Sequence, residues 1–228
     1  MTITSPHNPK LKDLKRLQRR HKGSARFVAE GEDLLVAADA AGWTALERYV
    51  AAGSGLAGTE VEPEVLASAS QLGSGTRALA VYEQRWASTP DGPPCVALWG
   101  VHDPGNVGTV LRSALAFGAK SIAIGPHTAD PYGPKAVRAS MGAIFSVPVA
   151  RVERVAELPG ETIALVAGEG EPLTGPVNAT LVVGAERTGL PAAVVAACDR
   201  VAHIPITGES LNAAMAATVA LYEVTRSA

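Results

Sequence analysis

Apolar positions along this chain keep two periods. From residue 95 onward "CVALWGV", "SIAIG", "FSVPVARV", "TIALVAG", "TLVVGAE" and "VAHIPI" are short apolar runs bounded by Gly, Pro or charge. Helical spacing returns between most of them, over 107–118, 190–198 and 211–225. Fully apolar strands alternating with helices predict an α/β fold with a mostly parallel sheet covered on both faces. Over 107–118, Val107, Val110, Leu111, Ala114, Leu115 and Gly118 follow the i, i+3, i+4, i+7 rule and are expected to pack on that sheet. Nearer the start, Asn8 is a good N-cap, Pro9 suits the first helical position, and Leu11, Leu14 and Leu17 share one side before Gly23 can stop the helix. "RFVAEGEDLLVAADAAGW" then reads as strand and helix, "RYVAAG" as a strand, "EPEVLASAS" as a helix and "RALAVYEQ" as a strand.

These elements divide the chain into a small α/β unit over residues 1–86, a linker over 87–94 and a larger α/β unit over 95–228. The linker, "ASTPDGPP", is rich in Pro and carries a Gly, which together suppress regular structure. At 228 residues, 47% apolar and 18% charged, the chain can bury a substantial core, and global disorder is excluded. No apolar run approaches the ~20 residues of a membrane span, and "MTITSPHNPKLKDLKRL" lacks a signal-peptide core, which points to the cytoplasm. Cys95 and Cys198 are far apart, and no His/Cys cluster has metal-ligand spacing, so reduced structural thiols and no metal are expected.

A net charge of −2 argues against nucleic acid, but the average hides an asymmetry. Lys10, Lys12, Lys15, Arg16, Arg19, Arg20, Lys22 and Arg26 crowd a segment whose one acid is Asp13. Such a segment suits a phosphate backbone, and suits equally a helix face that only meets water.

Three strand-to-helix junctions carry candidate chemistry. In "VHDPGNVGTVLRSALAFG", Arg112 falls off the apolar stripe close to a strand end, where open parallel sheets bind ligands. Its five fixed donors suit a phosphate or a developing oxyanion. Asn106, in the preceding turn, can cap the helix or touch a ligand. In "LVVGAERTGLP" a buried strand runs into Gly184, the lone acid Glu186 and Gly189; this is either a ligand-binding turn or a tight turn with an exposed acid. In "HIPITGESLNAAMAATVALYEV", Ser210 reads as an N-cap, and Asn212 falls in the first helical turn although Asn is a mediocre helix former.

Taken together and in this order, the three stretches resemble the SpoU-type, TrmH-like RNA 2′-O-ribose methyltransferases of the SPOUT class. The family's first motif, N-x-G-x-x-x-R, is matched by Asn106, Gly108 and Arg112. Its second, G-x-E-x-x-G, is matched by Gly184, Glu186 and Gly189. Its third, I-P … S-L-N, is matched by Ile204, Pro205, Ser210, Leu211 and Asn212, across a turn shorter than is usual. Arg138, Ser140 and Gly142 match the segment between the first two motifs. Residues 95–225 carry the resemblance, and "NPKLKDLKRL" and "FVAEGEDLL" look more loosely like the family's ribosomal-protein-like substrate-binding domain.

The resemblance implies a trefoil knot and S-adenosylmethionine held by Gly184, Ile204 and Leu211, with Gly189 beside them. It also implies a homodimer that completes its site across the subunit interface. Arg112, Asn106, Glu186, Ser210 and Asn212 would be the catalytic group, and Lys10, Lys12, Lys15, Arg16, Arg19, Arg20 and Arg138 would face RNA, ribosomal RNA in preference to tRNA. The competing readings are a non-catalytic RNA-binding protein of the same fold and a doubly wound nucleotide-binding enzyme. The absence of a P-loop or Rossmann fingerprint counts against the second.

Overall fold

In the computed structural model, which describes residues 2–19, 23–71, 75–208 and 210–226, the first helix begins where the caps require. Asn8 Oδ1 accepts from Lys10 N at 3.0 Å, and α1 runs over Pro9–Arg19 with Leu11, Leu14 and Leu17 buried. Arg20 lies outside the described residues. β1 (Arg26–Glu30), α2 (Glu32–Ala40), β2 (Glu47–Ala51), β3 (Thr59–Val61), α3 (Pro63–Ala69) and β4 (Ala78–Glu83) follow. The strands form a four-stranded sheet in the order β1-β4-β2-β3, antiparallel except for β2 with β3. β3, three residues long, was not expected; it is too short to show a period.

Alternation along these strands sends side chains to two different cores. Val28, Tyr49, Leu79 and Val81 meet α1 and α3. Phe27, Ala29, Val50 and Tyr82 turn the other way, toward α2 and the rest of the chain. There Phe27, Trp43 and Tyr82 form an aromatic cluster with Tyr132 and Phe145, and Trp43 Nε1 donates to the Phe145 carbonyl at 2.8 Å. Residues 1–86 and 95–228 therefore share one core. The segment between them is fastened along its length: Ala87 N donates to Val149 O at 2.8 Å, and Ser121 Oγ donates to Asp91 O at 2.9 Å.

The second sheet has seven strands in the order β7-β6-β5-β10-β8-β11-β9, every pairing parallel. They are β5 (Cys95–Trp99), β6 (Ser121–Ile124), β7 (Val149–Arg151), β8 (Glu161–Leu165), β9 (Glu171–Pro172), β10 (Ala179–Gly184) and β11 (Arg200–His203). The helices are α4 (Pro104–Ala116), α5 (Pro134–Ala139), α6 (Ala192–Ala197) and α7 (Ala213–Thr225). β5 and β10 are central and buried on both faces, which is why they read as unbroken apolar runs. Val96, Leu98, Leu181 and Val183 join the core of α4 and α7, while Cys95, Ala97, Trp99 and Val182 pack with Val194 of α6.

Two expectations need correcting. "FSVPVARV" is not one strand: 143–145 form a 3-10 turn and only Val149–Arg151 pairs. In α4, Val107, Val110, Leu111 and Ala114 are buried as expected, but Leu115 is 48% exposed and Gly118 is exposed. Position 115 turns 100° beyond Ala114, past the edge of the face that the sheet and α7 cover.

Candidate functional site

The strands are parallel, so the carboxyl ends of β5, β8, β10 and β11 lie along one edge of the sheet and their loops meet there. Asp103, not Asn106, caps α4: its Oδ1 accepts from Gly105 N at 2.7 Å and pairs with Lys135 Nζ at 2.8 Å. The Lys135 ammonium and then the Gly105 N–H hold this carboxyl below its ordinary range. With the cap supplied by Asp103, the Asn106 amide is available for other partners. Its Nδ2 donates to Glu186 Oε1, and its Oδ1 accepts from Asn212 Nδ2 at 3.2 Å. Asn212 Oδ1 in turn accepts from Ala214 N at 2.9 Å and Met215 N at 3.4 Å, so Asn212 is the N-cap of α7 and Ser210 is not. As the cap, Asn212 is just outside the helix, where Asn is among the favoured residues. Two asparagines thus tie one residue of each of three distant stretches into a single hydrogen-bonded chain.

The glycines of these stretches make close approaches possible. A Cβ on Gly108 would lie 2.3 Å from Ala136 O and 2.7 Å from Ala139 Cβ, so Gly108 is where α4 and α5 cross. A Cβ on Gly184 would lie 2.4 Å from the carbonyl carbon of Gly189. What bare Gly184 admits first is therefore the returning chain. Ala185 and Gly189 exchange N–H···O bonds of 3.2 and 3.0 Å, Gly189 sits at φ +64°, and the resulting tight hairpin presents Glu186.

Beside this hairpin is a cavity of about 360 Å³. Gly184, Glu186, Gly189, Ile204, Ser210 and Leu211 all line it, and Asn106 and Asn212 bond at its border. The wall also includes 165–167, at the end of β8, which the motif reading missed. The available signal was "LVAGEG", an apolar strand running into two glycines and an acid, as "LVVGAERTG" does.

Arg112 does not line this cavity. It is exposed on α4, and its side chain makes no hydrogen bond or ion pair among the described residues. Arg138 is also elsewhere, near Gln18 and Glu30 where α5 meets the first unit. On α1, Lys12, Lys15, Arg16 and Arg19 line a surface groove of about 380 Å³, and Lys10 is exposed. Arg16 pairs with Asp13 at 3.1 Å, and Lys15 Nζ donates to Ser68 Oγ at 3.2 Å. Desolvation raises the pKa of both thiols, Cys95 and Cys198. Among the described residues no group of three His, Cys, Asp or Glu side chains is placed to hold a metal ion, and no helix is long and apolar enough to cross a membrane.

Residues 93–222 match the SpoU rRNA Methylase family. A 23S rRNA (uridine(2479)-2′-O)-methyltransferase of Streptomyces viridochromogenes is 39% identical over 142 residues, 54% of this chain and 49% of that protein. A 23S rRNA (guanosine(2553)-2′-O)-methyltransferase of Bacillus subtilis is 34% identical over 135 residues, 54% of each. The chain thus spans about half the length of the curated relatives it matches. Among solved structures, an AdoMet-bound rRNA methyltransferase from Sinorhizobium meliloti superposes with a TM-score of 0.87 at 27% identity, covering 98% of this chain and 97% of that one. The match takes in the three stretches that Asn106, Glu186 and Asn212 tie together, and the chain belongs to the SpoU rRNA Methylase family.

Proposed function

We propose that this protein is an S-adenosylmethionine-dependent methyltransferase acting on a ribose 2′-hydroxyl in RNA, ribosomal RNA in preference to tRNA. The observation that carries the reading is the hydrogen-bonded chain Glu186–Asn106–Asn212 at the border of the cavity.

The residues present fit the cofactor. A space of about 360 Å³ lies within the roughly 300–1,000 Å³ of small-molecule sites. Its walls combine strand-end backbone at Gly184 and Ile204 with the apolar side chains of Val183 and Leu211, and Glu186 offers negative charge to a cationic ligand. Gly184, Gly189, Ile204 and Leu211 would hold it. When bound, S-adenosylmethionine supplies a methyl group already activated by its sulfonium. The chain must then place the acceptor ribose and manage the charge that develops on O2′. Arg112 is suited to that task because none of its donors is committed. A guanidinium stays protonated in proteins, so Arg112 fixes an RNA phosphate and stabilises negative charge on O2′, while the hydroxyl proton passes to solvent water. Asn106, Glu186 and Asn212 hold the three loops in register, and Ser210 lies in the cavity wall for the ribose or the donor.

The homodimer belongs to the same proposal. Leu115 of α4 and Met215, Val219 and Tyr222 of α7 are exposed by 41–57% and lie on neighbouring helices. An apolar face of this kind on helices that pack together is suited to a second copy. Arg112 is one turn before Leu115, so pairing through this face carries Arg112 toward the partner, consistent with its position outside its own chain's cavity. The knot is proposed as well. Gly175 passes so close to α7 that a Cβ would collide with Glu223 O, and Val177 N donates to Val224 O at 3.1 Å, which supports a C-terminal helix drawn under residues 173–177. Residues 1–86 would serve as the RNA-binding unit through the groove of α1, working in the cytoplasm.

The test is a calorimetric titration with S-adenosylmethionine followed by transfer of labelled methyl groups to 23S rRNA and to tRNA. Saturable binding and an alkali-resistant 2′-O-methyl linkage in rRNA are expected. Failure to bind the cofactor would overturn the reading, and binding without transfer to either RNA would leave a non-catalytic RNA-binding protein.

A further inference from the structure

The hairpin 185–189 has a second cavity on its other side, of about 590 Å³, at the carboxyl ends of β5 and β6. Its floor is Trp99, only 7% exposed, whose ring is packed on Gly125 so closely that a Cβ there would lie 2.6 Å from Trp99 Cε3. Two imidazoles line it, His102 from the loop after β5 and His127 from the loop after β6. Both are exposed, and neither has a hydrogen-bond or ion-pair partner among the described residues. The loops that bear them are firmly held. Thr128 Oγ1 donates to Leu98 O at 2.8 Å and accepts from Gly100 N at 3.0 Å, and Ala129 N donates to Val101 O at 2.8 Å. His127 adopts φ +60°, a conformation that non-glycine residues occupy at a cost, and such conformations cluster at ligand sites.

The lining contains no Lys or Arg, and Asp130 is its one acid, which disfavours a phosphate. Planar rings over an apolar floor favour a heteroaromatic ligand instead. Sequence-specific RNA recognition takes unstacked bases and stacks them on aromatic side chains, His included. The wall formed by Ala185, Thr188 and Gly189 is common to both cavities, so a group bound in the second lies next to whatever the first presents.

We propose that this second cavity is a nucleobase site, which takes the unstacked base of one nucleotide of the substrate RNA against His102 and His127 and thereby selects the ribose that reaches the donor cavity. The inference rests on the RNA methyltransferase reading above. Thr188, whose hydroxyl has no partner among the described residues, offers a hydrogen bond to the base edge.

The experiment compares the full-length wild-type protein with the double variant His102→Ala, His127→Asn, Asn being chosen because it tolerates positive φ. Purified 23S rRNA from cells lacking this protein is the probe. The double variant is expected to bind S-adenosylmethionine with wild-type affinity and to show a KM for RNA raised roughly tenfold, the scale of one lost base–aromatic stack. His102→Phe, which keeps a stacking ring, should hold KM within about threefold of wild type on the same scale. An unchanged KM in the double variant, a parallel loss of cofactor affinity, or failure of His102→Phe to retain KM would each overturn the nucleobase site. None of these outcomes touches the methyltransferase reading, which falls only if the wild-type protein itself binds no S-adenosylmethionine or transfers no methyl group to either RNA.

Discussion

Arg112 and Asn106 are six positions apart on one helix, and their surroundings assign them opposite duties. Asn106 uses both ends of its amide within the fold, while Arg112 uses none of its donors. Arg112→Ala should therefore leave folding and cofactor affinity unchanged, because an exposed side chain with no partner contributes little stability. Methyl transfer should fall by roughly 10²–10³, the loss typical of removing one donor to a developing oxyanion. Calorimetry with S-adenosylmethionine and labelled-methyl turnover measure the two separately, and a variant with most of its turnover intact would remove Arg112 from the reaction. That Arg112 stands off the apolar stripe is visible in the sequence, since an arginine among Val, Leu and Ala at helical spacing has only one direction to point. The hydrogen bonds of Asn106 are not visible there, because they join residues 80 and 106 positions apart. The capping role of Asn212 is hidden in the sequence for a related reason. Ser210 and Asn212 are both good caps, and only the backbone path through the turn decides which one opens the helix.

Among elements, the contact between α4 and α5 is governed by the absence of one side chain. In an isolated helix, Gly108→Ala would be favourable by about 1 kcal/mol. Here the added methyl meets Ala136 O at 2.3 Å and Ala139 Cβ at 2.7 Å, and a backbone carbonyl cannot move aside as the end of a long side chain can. Overpacking of this kind costs about 1–3 kcal/mol, so the variant should be the less stable protein by that amount. A thermal melt should show the midpoint lowered by several degrees, given about 2–4 °C per kcal/mol at this size; a raised midpoint would mean that the two helices part freely. The same contrast separates what was legible from what was not. β5, β6 and β10 announce themselves because a strand buried on both faces needs a nearly unbroken apolar run. β3 and β9, of three and two residues, carry no such signature, and Pro148 confines β7 to the last part of "FSVPVARV". Placing the end of β8 in the cavity wall required knowing the strand order, since β8 becomes the neighbour of β10 only when the sheet assembles.

For the whole molecule, the question is what covers the outer face of α4 and α7. Met215, Val219 and Tyr222 recur at i, i+4 and i+7 on α7, the spacing of a buried stripe, yet each is about half exposed. Ala214, Ala217 and Ala220, on the opposite side, already serve the internal core, and Ser113 Oγ and Thr218 Oγ1 close the seam with α4 at 2.6 Å. Tyr222 leans on Phe117 with ring centroids 6.0 Å apart, which extends the apolar face to the end of α4. An α7 that is apolar on both sides matches a helix with a second layer against it, and another copy of the same face satisfies the requirement by twofold symmetry. Val219→Asp places a charge at the middle of that face without entering the internal core, so the monomer should fold normally. Light scattering should find the wild-type protein at twice the chain mass and the variant at the mass of one chain. If Arg112 acts on the partner's cavity, the variant should also lose methyl transfer while its circular dichroism stays native. A wild-type protein that is monomeric during turnover would place Arg112 in service of its own chain's site, and the exposed stripe would then need another partner.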